Sequence, residues 1–60
     1  MRDRSAAIDF GASNTDVVVD DGDTLRRWNL PSQGHPDEAR VREVLAAGAL
    51  TPSDVAWIAV

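Results

Sequence analysis

The sequence has no cysteine and no lysine, and a single histidine, His35. Without cysteine, neither a disulfide nor a thiolate-bound metal can staple the fold. One histidine likewise excludes a histidine-rich metal centre. No apolar run approaches the length of a bilayer span. The charged start Met1-Arg2-Asp3-Arg4 is not followed by the apolar stretch of a secretory signal. A cytoplasmic location is the default expectation, with no membrane partner. Positive charge is scarce too, six arginines against ten acidic residues and a net charge of −4. Such a balance lacks the basic patch that duplex nucleic acid needs. The local basic pair Arg26-Arg27 reads as a solvated strand face. Length sets the last bound. A chain of this size buries only about 60% of its unfolded surface, and below roughly 70–80 residues one core rarely supplies more than ~3–5 kcal/mol.

What is present is an ordered series of strand and helix signals. Ser5–Phe10 is apolar until its end and reads as a short strand; Gly11-Ala12-Ser13-Asn14 then breaks it. Thr15–Asp20 is rich in β-branched residues. Asp21-Gly22 is a favoured hairpin pair whose central residues both take positive φ, and Thr24–Leu30 is the returning strand. Three strands thus form an antiparallel meander. After the linker Pro31-Ser32-Gln33-Gly34, Pro36 suits the first helical position, with Asp37 and Glu38 complementing the positive end of the dipole. Val41, Val44 and Leu45 form the packing stripe, with Arg40, Arg42 and Glu43 facing water. Gly48 is the expected stop. Thr51-Pro52-Ser53-Asp54 reads as a capped turn with Asp54 in the usual glutamate position.

Val55–Val60 is a near-continuous apolar run of the kind found in strands covered on both faces. A helix between strands implies a crossover that lays this strand parallel to an earlier one. The expected order is βββαβ. Because the sequence stops inside that apolar run, the expectation is a truncated domain: residues 1–60 as the N-terminal part of a nucleotide-binding ATPase or kinase domain, inactive alone.

The stretch that carries chemistry is Asp9-Phe10-Gly11-Ala12-Ser13-Asn14-Thr15-Asp16. Small residues between paired strands let main-chain amides approach an anion, and such turns form nests for phosphate oxygens. Ser13, Asn14 and Thr15 add side-chain donors. Asp9, at the carboxyl end of the first strand, cannot bind phosphate directly, because like charges repel. Its expected work is to hold a hydrated Mg²⁺ that bridges the phosphates. The plain alternative is a polar hairpin closed by Asn14, with Asp9 capping backbone donors.

Ile8-Asp9-Phe10-Gly11-Ala12-Ser13 resembles the first phosphate loop of the acetate and sugar kinase, heat-shock chaperone and actin superfamily. That loop usually reads Asp-x-Gly-Gly/Ser-Thr between the first two strands of a ribonuclease-H-like domain; here Ala12 replaces the second glycine and Ser13 the threonine. The resemblance covers nearly the whole chain. It implies ATP and Mg as cofactors, Gly11, Ala12, Ser13, Asn14 and Thr15 at the phosphates, and Asp9 as the magnesium-water ligand. It also implies a general base beyond residue 60. The single compact helix is similar to type II pantothenate kinases, which would make the parent an ATP-dependent kinase of coenzyme A synthesis acting on a small molecule. Those kinases more often carry lysine where Asp16 stands. Asn14-Thr15-Asp16 is instead similar to the hydantoinase/oxoprolinase family, whose members open a cyclic amide at the expense of ATP. A non-enzymatic nucleotide switch of the same fold is the third alternative. Beyond the small-molecule substrate, the expected partner is the rest of its own chain, with a homodimer left open.

Other features read as structure. Asp20-Asp21-Gly22-Asp23 invites calcium, but Trp28 stands where the calcium loop ends in glutamate. His35 precedes Pro36 and is expected in solvent near the helix cap. Trp28 and Trp57 read as packing residues.

Overall fold

The computed structural model describes residues 4–32 and 35–59; of the linker, Gln33 and Gly34 lie outside the described residues, as does Val60. The order is β1 (Ser5–Phe10), β2 (Asn14–Asp20), β3 (Leu25–Pro31), α1 (Glu38–Ala46) and β4 (Ala56–Ala59). The chain is therefore α/β, with a four-stranded mixed sheet in the order β3-β2-β1-β4. β1, β2 and β3 pair antiparallel, from Ser5 opposite Asp20 to Phe10 opposite Thr15, and from Asn14 opposite Pro31 to Asp20 opposite Leu25. β4 joins β1 in parallel, with Ile8 opposite Ala59.

Side-chain alternation decides which face is covered. Successive strand residues point to opposite faces, so Ala6 and Ile8 of β1 and Thr15, Val17 and Val19 of β2 share one buried side. Val41, Val44 and Leu45 of α1 close over it, joined by Leu50 and Val55. A nine-residue helix is too short to persist alone in water, so this packing holds it. Among the described residues, no helix lies over the opposite face, which carries Asp9, Asp16 and Arg27.

Several expectations need correction. Pro36 does not begin the helix. Asp37 is the N-cap, its carboxylate accepting from the Arg40 amide at 3.0 Å. Arg40 does not face water: it is 8% exposed. It stands four residues before Val44, on the same stripe, and its guanidinium donates to the Pro31 carbonyl and to Glu43. The hairpin turn centres on Gly22 and Asp23 rather than on Asp21 and Gly22. Asp21 N–H donates to Thr24 O at 3.0 Å, and only Gly22 of the pair takes positive φ, at 96°, as the first central residue of a II′ turn does.

Gly48 has a different task from the one expected of a helix stop. The left-handed residue is Ala49, φ 62°, with Ala49 N–H donating to Ala46 O and Leu50 N–H to Leu45 O, a Schellman pattern. Gly48 is small because a Cβ there would lie 2.3 Å from the Trp28 ring. That ring is fixed by its own N–H, donated to Val44 O at 2.8 Å, and Arg26 stacks over it while bonding Gly48 O. Finally, β4 is not covered on both faces. All four residues are exposed, Ile58 by 64%. The helix packs over β2 instead, leaving the edge next to β1 open.

Candidate functional site

The turn between β1 and β2 stands at the carboxyl end of β1, an inner strand bordered by β2 on one side and β4 on the other. In mixed α/β sheets, ligands collect beyond the carboxyl ends of such strands. Here the chain reverses within Gly11, Ala12 and Ser13. Gly11 N–H is shared between Asp9 O at 3.1 Å and Asn14 O at 3.0 Å. A Cβ on residue 11 would meet Asn14 O at 2.7 Å. Glycine is thus required for the turn to close on itself, and the Gly11 amide is committed to the protein. None of residues 11–14 takes positive φ, so the turn lacks the alternating-hand backbone of a nest. Alanine fits at position 12 for the same reason.

The predicted residues separate into two sets. Thr15 is fully buried, and its hydroxyl lies 3.1 Å from Ser32 Oγ, pointing into the fold. Ala12, Ser13 and Asn14 are exposed. Among the described residues, the amides of Ala12 and Ser13 donate to no protein acceptor. Asp9 is exposed as well, and its carboxylate caps no backbone donor there. Directly opposite on β2 lies Asp16, which accepts from Asn29 Nδ2 at 2.6 Å. Two carboxylates facing each other across an antiparallel pair repel. Such a spot suits a divalent cation better than a bare anion.

Among the described residues, no group of three acidic or histidine side chains could enclose a metal ion. Mg²⁺ does not need one: it keeps several waters and takes one or two carboxylates together with phosphate oxygens. Asp9, with a carboxylate unspent on the protein, fits that donor set.

Sequence reasoning missed Ser32. Its amide donates to Ser13 O at 3.0 Å and its hydroxyl to Gly11 O at 2.7 Å. In the sequence it is one polar residue of a linker, and nothing local marks it. His35 is exposed, with its carbonyl accepting from the Asp37 amide. The apolar hollow of the open sheet face, along Ala7, Val18 and Ile58, does not include the turn. No helix among the described residues is long and apolar enough to cross a membrane. No protein-family model, curated protein or solved structure matches the chain.

Proposed function

We propose that this chain is the N-terminal phosphate-binding segment of a ribonuclease-H-like, ATP-dependent small-molecule kinase, with pantothenate the first candidate substrate. The observation that carries this reading is the unspent Asp9 carboxylate at the end of β1, next to the free amides of Ala12 and Ser13. The meander with a parallel fourth strand agrees with the resemblance of Ile8–Ser13 to the superfamily's first phosphate loop. Asp9 would hold hydrated Mg²⁺, which would offset phosphate charge, and Ala12, Ser13 and Asn14 would supply donors to the phosphates. Phosphoryl transfer asks mostly for positioning and charge neutralisation, and open amides near a metal-holding carboxylate would contribute to both. Thr15 supports the turn from within. Asp16 favours a second reading, a cyclic amidase of the hydantoinase/oxoprolinase type, because the pantothenate kinases more often have lysine there.

Titrating the isotopically labelled chain with millimolar Mg·ATP tests the site. Ala12 and Ser13 amide resonances are expected to move with Mg·ATP, less with ATP plus chelator, and Asp9→Asn to remove the magnesium dependence. Amides that stay still in saturating Mg·ATP would overturn the nucleotide reading. In the intact enzyme, ATP turnover dependent on pantothenate rather than on a cyclic amide separates the two chemistries; the sixty residues alone are expected to turn over neither.

A further inference from the structure

We propose that Ser32 is the positioning residue that aims the β1–β2 turn outward, an inference that rests on the phosphate-site reading above for its ligand but not for its geometry. Ser32 touches the turn at three points: Ser13 O at 3.0 Å through its amide, Gly11 O at 2.7 Å through its hydroxyl, and Thr15 Oγ1 at 3.1 Å. Proton counting orders these contacts. A serine hydroxyl has one proton, and that proton goes to Gly11 O. Thr15 must therefore be the donor to Ser32 Oγ. The result is a relay from the buried Thr15 through Ser32 to the Gly11 carbonyl, in which each bond polarises the next.

The relay has a geometric consequence. A trans peptide is planar, so its C=O and N–H point in opposite directions. Pinning Gly11 C=O toward Ser32 sends Ala12 N–H away from Ser32, and pinning Ser13 C=O turns Asn14 N–H to the opposite side of β2, where Gly11 lies. Without the Ser32 hydroxyl the Gly11–Ala12 peptide can rotate and its N–H is no longer aimed, while the Ser13 carbonyl keeps its main-chain bond. Ser32 is itself held in place through Pro31, whose carbonyl accepts from the buried Arg40 guanidinium of α1. The helix thus reaches the turn through Arg40, Pro31 and Ser32.

The test compares Ser32→Ala, which deletes the hydroxyl, with Ser32→Thr, which keeps it. Thr15→Val, a similar shape without the hydroxyl, cuts only the inner bond. Losing one such hydrogen bond is expected to weaken Mg·ATP binding about tenfold in Ser32→Ala. Ser32→Thr is expected to bind within about twofold of the parent, and Thr15→Val to fall between them. Backbone order and amide exchange at residues 11–14, read without nucleotide, give the independent measure. Ser32→Ala is expected to loosen those amides, with the denaturation midpoint serving to separate a local effect from general loosening. Unchanged turn amides in Ser32→Ala, or equal loosening in Ser32→Thr, would overturn the assignment. Should the parent chain bind no Mg·ATP while Ser32→Ala still loosens the turn, the nucleotide reading fails and the positioning role stands.

Discussion

At one end of β2 the chain turns through Gly11, Ala12 and Ser13; at the other it turns through Asp21, Gly22, Asp23 and Thr24. Both turns are small, polar and built on one glycine. In the second, the Gly22 amide is taken by Asp20 Oδ1 at 2.7 Å, Asp21 N–H by Thr24 O, and the Asp21 carboxylate by Arg4 at 3.1 Å. In the first, Gly11 closes the turn, Ser32 takes two carbonyls, and the Ala12 and Ser13 amides and the Asp9 carboxylate remain unspent. Composition does not separate a closed turn from a receptive one. The count of satisfied groups does, because a donor already bonded within the protein must be freed before it can hold a ligand.

The sharpest way to break this comparison is to put alanine at each glycine. Gly11→Ala forces a Cβ against the Asn14 carbonyl, a backbone atom that cannot swing aside, and overpacking of this kind costs about 1–3 kcal/mol. Gly22→Ala places a side chain at φ 96°, a conformation that costs an L-residue about 1–3 kcal/mol. Chemical denaturation should therefore register both as destabilising. Only Gly11→Ala should also disturb Mg·ATP binding. A Gly22→Ala that weakened binding equally would erase the distinction between the turns.

Next in size is Asp9→Asn, for which stability and binding are expected to move in opposite directions. Removing one of two facing carboxylates should stabilise the sheet by about 0.2–1 kcal/mol, while magnesium dependence is lost. A destabilised Asp9→Asn would mean that Asp9 serves the fold. Asp20→Asn is the control, since an amide oxygen can still accept from Gly22.

The smallest effect comes from a third turn, closed like the second. The Thr51 amide, and then its hydroxyl, hold the exposed Asp54 carboxyl below its usual range. A depressed carboxyl supports the fold above its unfolded pKa and loses that support as pH falls through the folded value. The Thr51 resonances should accordingly shift only in acid, below the range of a free aspartate. A titration at or above that range would show the turn to be open.

Much of this fold was legible locally. Ser5–Phe10 is the first strand to the residue, and the second and third differ from expectation by single residues at their ends. Parallel addition of the last strand followed from the helix between strands. By charge Arg40 reads as solvent-facing, yet its four-residue spacing from Val44 puts it on the buried stripe. A glycine after an apolar stripe reads as a helix stop, and the Trp28 ring that Gly48 accommodates comes from β3, out of reach of any local pattern. Within the candidate site, the small residues and Asp9 were visible as a pattern. Ser32 was not, since its partners Thr15 and Gly11 lie 17 and 21 residues earlier.

The sequence alone determined the strands, the helix and its Val41, Val44 and Leu45 packing stripe, because those depend on side-chain direction over a few residues and a period of two or near four. Only tertiary structure decided which polar groups of the first turn are used up and which remain open. That outcome depends on a hydroxyl brought in from the end of β3, and no local period encodes which distant carbonyl a hydroxyl will reach.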